Sequence, residues 1–222
     1  MHNLTLVIPA KNEKESLPKV LDELKDYDLK IIIVLEENDK ETIESTQKYN
    51  CKLVYQNNKG YGDALICGIN QVQTNFFCIF NADGSFNPIE LKLMYKKLIA
   101  HNADFVFASR YEKDCKSDDD TIITYIGNFI FTKIGNIFFN LKITDILYTY
   151  VAGSTNAFRE LNIKSKDFSF CVELPIRANR MKYKLFTSKS HERARIGGEK
   201  KVNAFKDGLK ILVSMIKLYF SR

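Results

Sequence analysis

The sequence is short of cysteine in any useful arrangement. Cys51, Cys67, Cys78, Cys115 and Cys171 are widely spaced, with no C-x-x-C pair and no Cys/His cluster, which argues against a zinc module. An odd number of scattered thiols fits a reducing compartment better than a disulfide framework. No run of 18 consecutive apolar residues occurs, so nothing is expected to span a bilayer. Met1 leads straight into a strand-like segment without the basic and apolar regions of a secretory signal, and a cytoplasmic location is expected. Two glycine signatures are also missing. There is no G-x-x-x-x-G-K-[ST], which excludes a P-loop NTPase. The pair Gly60 and Gly62 is followed by Leu65 where a dinucleotide fingerprint needs its third glycine, which disfavours a Rossmann NAD site.

What is present is enough for one generous domain. Of the 222 residues 45% are hydrophobic, sufficient to bury a real core. The formal charge of +6 is unevenly spread. Residues 1–176 carry 20 Lys/Arg against 24 Asp/Glu, whereas residues 177–222 carry 13 against 3. A basic C-terminal stretch of net +10 suits an anionic partner such as phosphate groups or an anionic membrane, or is simply a solvated basic face. Nucleic acid is not the expected partner, because Tyr183 and Phe186 make a thin case for aromatics interleaved with basic residues.

Over the first 110 residues short apolar runs alternate with amphipathic stretches. Leu4–Pro9, Ile31–Leu35, Lys52–Tyr55, Phe76–Phe80 and Phe105–Ala108 read as buried strands, being short and rich in β-branched and aromatic residues. Glu15–Leu24, Glu41–Tyr49, Asp63–Val72 and Ile89–Ile99 show helical spacing, the last announced by Asn87-Pro88. This alternation predicts an α/β fold with a mostly parallel sheet covered by helices on both faces. Ligands of such sheets bind at the carboxyl ends of the strands. Beyond Arg110, the polar stretch Glu112–Thr121 with Asp118, Asp119 and Asp120 reads as a mobile loop, and Ile122–Leu141 as an apolar helix. Residues 143–190 read as short strands with one helix around Glu173–Asn179, Ala194–Lys201 as a flexible basic loop, and 203–220 as a closing helix.

Four segments fall where a ligand site is expected. Pro9-Ala10-Lys11-Asn12-Glu13 follows the first strand, where Asn12 and Glu13 can cap a helix or bond a base and ribose. Asn58–Ala64 contains Gly60 and Gly62, which allow a sharp turn and close backbone approach. Asn81-Ala82-Asp83-Gly84-Ser85 follows the most apolar strand, so Asp83 is placed either in a turn or to hold a divalent cation that bridges phosphates. Ser109-Arg110-Tyr111 follows the fifth strand, and Arg193, Arg195 and Lys201 lie near the tail, all candidates for phosphate oxygens.

Taken in order, P-x-x-N-E, N-x-G-x-G-x-A-x-x-x-G, x-A-D after an apolar strand, and S-R-Y resemble the family 2 glycosyltransferases, most closely the polyprenyl-phosphate (dolichol-phosphate) mannosyl- and glucosyltransferases. The resemblance covers residues 4–111 and continues through Glu173 and Arg195–Lys201, which is similar to an R-x-x-G-x-S-K motif. It implies a GT-A fold over residues 1–202 with an amphipathic helix at 203–222. It further implies a UDP- or GDP-linked sugar donor, an Mg²⁺ or Mn²⁺ cofactor, and a lipid-phosphate or glycan acceptor, reached at the inner face of a membrane. Pro9, Ala10, Asn12, Glu13, Glu36 and Gly60 would then lie along the nucleotide, Asn81, Ala82 and Asp83 at the diphosphate, and Asp83 and Ser85 at the metal. Arg110 would face an acceptor phosphate, and Arg195 and Lys201 would close over the donor. The reaction implied is an inverting displacement at the anomeric carbon. A phosphate acceptor needs no general base; a hydroxyl acceptor does, and Glu173 is then the expected carboxylate, unless it is an ordinary partner of Arg177 one turn away.

The sequence departs from the family pattern in four places, one being that Asp145–Phe158 fits a D-x-x-S-G-F pattern only with an insertion, although Asp145, Gly153 and Phe158 are present. The first acid of the D-x-D motif is Asn81, the Asp-Asp after the second strand is Leu35-Glu36 with Glu37 and Asp39 nearby, and a second acceptor-side arginine is absent near Thr124. Two other readings share the nucleotide-binding sheet: a sugar-nucleotide-forming nucleotidyltransferase, which would want a glycine-rich basic loop after strand one, and a non-catalytic nucleotide-sugar binder. In the closing helix Lys206, Asp207, Lys210, Ser214, Lys217 and Ser221 oppose Phe205, Leu209, Leu212, Val213, Ile216, Tyr219 and Phe220. That amphipathic pattern packs on a domain or lies at an anionic membrane.

Overall fold

The computed structural model describes residues 1–197 and 202–221. Five strands lie close to their expected places: β1 (Leu4–Pro9), β2 (Lys30–Leu35), β3 (Lys52–Tyr55), β4 (Phe76–Ile79) and β5 (Phe105–Ser109). The intervening helices are α1 (Leu17–Leu24), α2 (Lys40–Thr46), α3 (Tyr61–Asn70) and α4 (Ile89–Ala100). At the start of α4 Pro88 is the N-cap, one residue later than expected, and the Asn87 side chain accepts the Ile89 N–H at 3.1 Å. β7 (Val151–Ser154) and β8 (Leu185–Lys189) complete a seven-stranded sheet in the order β3-β2-β1-β4-β7-β5-β8. β7 alone runs antiparallel, between β4 and β5.

Alternation along β1 explains why it is central. Leu4, Leu6 and Ile8 face one layer with Leu17, Val20 and Leu21 of α1 and Leu91, Met94 and Leu98 of α4. Val7 faces the other, with Ala64, Leu65 and Ile69 of α3. A strand buried on both faces is continuously apolar, and each large aliphatic side chain removed from water contributes about 1.5–3 kcal/mol. Gly68 permits the tight seat of α3: a Cβ there would come within 2.5 Å of Val7 Cγ1 and 2.6 Å of Val34 Cγ2.

After β5 the chain adds α5 (Ile122–Phe139), α6 (Thr155–Leu161), α7 (Phe170–Arg180) and α8 (Ala204–Phe220). The segment expected to be mobile is instead tied down. Its β6 (Lys116–Ser117) pairs in parallel with β9 (His191–Glu192), and Asp118 N–H donates to Glu192 O at 2.9 Å. Polarity marked the segment as a loop, but its backbone pairs across to His191 and Glu192, far along the chain.

α5 also departs from expectation. By length and composition it is apolar enough to cross a membrane, although Asn128, Thr132 and Lys133 break any continuous apolar run. Its buried residues are Asn128, Thr132, Gly135 and Phe139, and it packs along α7 and α8. α8 buries Asp207, Ile211, Met215 and Leu218. The apolar row named from its sequence, Phe205 to Phe220, is left facing outward.

Candidate functional site

The chain leaves β1 for β2 and β3 on one side and returns to β4 on the other. The carboxyl ends of β1 and β4 therefore diverge at a switch point, where doubly wound sheets bind ligands. A cleft of about 680 Å³ opens there. It brings together Pro9, Ala10, Asn12, Glu13, Glu36, Gly60, Asn81, Ala82, Asp83, Ser85, Arg110 and Arg195. Glu173 is not among its walls, and Lys201 lies outside the described residues.

The loop after β1 is held by acids of the next unit. Asn12 adopts a left-handed φ of 53°, and its N–H donates to Asp39 Oδ2 at 2.7 Å. Asp39 also caps α2 through Thr42 N–H. Glu13 N–H donates to Thr42 Oγ1 at 3.0 Å, and Ser16 Oγ to Glu13 Oε2 at 2.5 Å. Lys11 pairs with Glu36 at 2.6 Å. Asp39 thus sets the loop's shape, while Glu36 and Gln56 reach the cleft.

The glycine turn does something other than open space for a ligand. Gly60, at φ 129°, and Gly62 both lie against the backbone of Ser165–Asp167, where a Cβ would overlap carbonyl oxygens. Asp63 N–H donates to Lys166 O at 3.0 Å, and the Asp63 carboxylate holds Asn58 at 3.0 Å. That 165–167 segment is fastened by Glu173, 2% exposed, which accepts Lys164 N–H at 3.1 Å, Ser165 N–H at 2.7 Å and Arg177 Nε–H. Glu173 is thereby corrected from candidate base to a buried bracket: its oxygens are taken up by backbone amides and an i+4 arginine.

At the end of β4, Asp83 Oδ1 accepts Ser85 N–H at 3.0 Å and Ser85 Oγ–H at 2.7 Å. Asn81 Nδ2 lies 3.4 Å from Ser85 Oγ. The strap after β9 crosses this turn, with Arg193 N–H on Ser85 O at 2.8 Å and Ile196 N–H on Asp83 O at 2.7 Å. Gly84, at φ 82°, leaves room for the Ile196 side chain. Arg195 forms a bidentate pair with Asp119 at 3.1 and 3.0 Å and approaches Asp83 Oδ2 at 3.8 Å. The Asp119 bond raises the guanidinium's pKa.

Arg110 reaches the cleft but does not present a free guanidinium. Its Nε and Nη2 bind Asp145 at 2.7 and 3.0 Å, its Nη1 binds Glu192 at 3.0 Å, and Asp120 lies 3.6 Å away. The ring of Tyr148 stacks on the guanidinium at 4.5 Å. Three carboxylates thus surround one cation that is 8% exposed. Burial pushes the Glu192 carboxyl up from its ordinary value, partly countered by Arg110 and Ser117. The site residues missed from sequence are Glu192, Tyr148, Asn128 and the Asp119–Asp120 pair. Only the triple aspartate carried any signal, and composition alone reads it as a solvated loop.

Residues 5–161 match Glycosyl transferase family 2. The low-salt glycan biosynthesis hexosyltransferase Agl6 of Haloferax volcanii is 22% identical over 215 residues, covering 92% of this chain and 51% of that protein. The chain therefore spans about half the length of that relative. A UDP-N-acetylglucosamine–dolichyl-phosphate N-acetylglucosaminyltransferase of Methanococcus voltae is 22% identical over 201 residues, 80% of each chain. Among solved structures, glucosyl-3-phosphoglycerate synthase of Mycobacterium tuberculosis, in complex with Mn²⁺, UDP and glucosyl-3-phosphoglycerate, superposes with a TM-score of 0.76 at 11% identity. That match covers 98% of this chain and 80% of the synthase and shows the shared GT-A fold. With the family match spanning most of the sheet and both ligand-facing loops, the chain belongs to glycosyl transferase family 2 and is a glycosyltransferase.

Proposed function

We propose that this glycosyltransferase takes its sugar from a nucleoside-diphosphate donor, UDP-linked or GDP-linked, and transfers it with inversion to a lipid-linked or glycan acceptor at a membrane surface. One observation carries the reading: the β1 loop, the Asp83 turn and the Arg195 strap converge on a single cleft at the β1/β4 switch point. The relatives' names support it, since one uses a UDP-sugar with a dolichyl-phosphate and another is a glycan hexosyltransferase. Pro9–Glu13 and Glu36 form the nucleoside side, Gly60 the turn beside it, and Asn81, Ala82 and Asp83 the diphosphate side. Arg195, with Lys201 of the same basic segment, opposes the negative charge that accumulates on the leaving diphosphate.

The donor set at Asp83 suits Mg²⁺ or Mn²⁺. It offers one carboxylate, the Ser85 hydroxyl already bonded to it, and the Asn81 amide. Among the described residues no group of three or more His, Cys, Asp or Glu forms a ready metal cage. Hard cations of this kind bind through one or two carboxylates together with substrate phosphates. A bound divalent ion there supplies positive charge to the diphosphate. Titration calorimetry of UDP and of GDP, with Mn²⁺ and with EDTA, tests the assignment. Binding should require the metal and should weaken at least about tenfold in Asp83→Ala, the loss of a charge-assisted contact. Equal binding in EDTA, or by the variant, would remove Asp83 from the site.

The membrane element of the proposal rests on α5 and α8, which pack side by side. Both turn polar residues inward, with Asn128 and Asp207 buried, and leave Ile122, Ile126, Ile137, Phe205, Leu209 and Phe220 exposed. A run of exposed apolar residues of this kind marks a membrane or protein contact, and Lys133, Lys206, Lys210 and Lys217 on the same two helices suit an anionic headgroup layer. Thr124 and Asn128 of α5 also line the cleft, which sets the site beside that face.

A further inference from the structure

The acceptor side of the cleft has a charge balance at odds with a phosphate acceptor. Arg110 is the cation of that wall, and Asp145, Glu192 and Asp120 all lie within 3.6 Å of it. A phosphate monoester brought to this wall would meet net negative charge, with the guanidinium's bidentate edge already given to Asp145. Arg195 stands on the donor side, 3.8 Å from Asp83. Among the described residues the remaining lining of that wall carries no further cation and mixes the neutral Tyr148, Thr124, Thr149 and Asn128 with the apolar Leu147 and Phe168.

Among the wall's carboxylates one has an oxygen to spare. Asp145 accepts four hydrogen bonds, Asp119 is held by Arg195, and Asp120 accepts from Tyr111 and Thr124. Glu192 is 8% exposed and lines the cleft. Its Oε2 takes both Arg110 Nη1–H and Ser117 Oγ–H, while Oε1 has no hydrogen-bond partner among the described residues. Its backbone is fixed by the β6–β9 pairing, and the next residue, Arg193, donates to Ser85 O beside the diphosphate turn. A buried carboxylate anchored through one oxygen and open through the other has the layout of a general base, and the desolvation that raises its pKa brings it nearer the working pH.

We propose that the acceptor nucleophile is a sugar-type hydroxyl rather than a phosphate, and that Glu192 Oε1 receives its proton. This rests on the nucleotide-sugar reading above and specifies its acceptor chemistry. The acceptor oxygen bonds to the anomeric carbon as the bond from that carbon to the diphosphate oxygen breaks. The hydroxyl proton passes to Glu192, and the bonding pair leaves with the nucleoside diphosphate. Arg110 acts as a positioning residue, holding Glu192 through Oε2.

The test uses the full chain with Mn²⁺ and a panel of UDP- and GDP-sugars. The acceptors are an alkyl hexoside series and, separately, a polyprenyl phosphate, with diphosphate release and product mass as readouts. Hexosides should yield product and polyprenyl phosphate none. Glu192→Gln, which keeps the bond from Arg110, should lower kcat roughly 10²–10⁴-fold. The variant should also lose the rise of kcat with pH that wild type shows through the Glu192 pKa, while nucleotide affinity stays unchanged. A merely structural glutamate would leave that pH profile intact. Product on polyprenyl phosphate alone, or a Gln variant with wild-type rate and pH profile, overturns the proposal. Absence of metal-dependent nucleotide binding in wild type would instead refute the donor reading on which it stands.

Discussion

Asp145 is the residue on which the acceptor wall hangs, and its removal gives the sharpest stability test. Its side chain is fully buried and accepts four hydrogen bonds: from Arg110 N at 3.1 Å, Nε at 2.7 Å and Nη2 at 3.0 Å, and from Asn128 Nδ2 at 2.7 Å. Asp145→Ala strands all four donors and leaves a buried guanidinium without its nearest counter-charge. Breaking a buried pair by deleting one partner costs about 3–5 kcal/mol. The remaining bond from Arg110 to Glu192 at 3.0 Å draws the expectation toward the lower end, about 3 kcal/mol. For a chain of this size each kcal/mol corresponds to roughly 2–4 °C in Tm, so a fall of about 6–12 °C is expected. Equilibrium urea unfolding followed by circular dichroism measures the loss directly. The exposed Lys14–Glu41 pair at 3.0 Å serves as a control, with Glu41→Ala costing no more than about 1 kcal/mol. Replacing both partners, Arg110→Met with Asp145→Leu, should recover little, because Glu192 then stays buried without the cation it pairs with at 3.0 Å. An Asp145→Ala variant within about 1 kcal/mol of wild type would refute the claim that this network is a desolvated, mutually dependent unit.

Three further expectations follow from the same geometry. Gly68→Ala should destabilise by roughly 1–3 kcal/mol in the same urea assay, since the added methyl meets Val7 and Val34 at the helix–sheet contact; an unchanged midpoint would show that α3 can lift without cost. Substituting Ile122, Ile126, Phe205 and Leu209 with serine should abolish flotation on anionic liposomes while leaving the circular dichroism spectrum intact, and flotation equal to wild type would remove the membrane face. Burial raises the Glu90 carboxyl above its ordinary 4.5. The folded state therefore binds this proton more tightly than the unfolded chain, so its contribution is greatest below pH 4.5 and declines as pH rises through the folded pKa. Glu90→Gln should flatten that decline, measured as unfolding free energy between pH 4 and 7, and parallel wild-type and variant curves would show that Glu90 does not titrate differently on folding.

The first 110 residues could be read from sequence because their signals are local. β1 carries apolar residues on both faces, and Asn87 accepts the Ile89 N–H at the start of α4. Asp83 could be placed for the same reason: a carboxylate directly after a buried strand emerges at the sheet's carboxyl edge. Arg110 and Glu173 show where such reading stops. Both sit at positions the family pattern favours, yet the function of a charged side chain depends on which opposite charges fold against it. Those partners, Asp145 and Glu192 for the one and the amides of residues 164 and 165 for the other, arrive from distant or irregular segments.

The helical period of α8 was likewise plain, but not which side would meet the domain. The row from Asp207 to Leu218 packs inward, and the more apolar row faces out. Local pattern determines the strands, the helices and the loops that end at the cleft, because backbone geometry and side-chain alternation act over a few residues. Tertiary packing alone decided that Glu192 has an open oxygen, that Arg110 has none of its charge to spare, and that two helices show their oily sides to the outside. Each of these depends on desolvation and on neighbours far away in the chain.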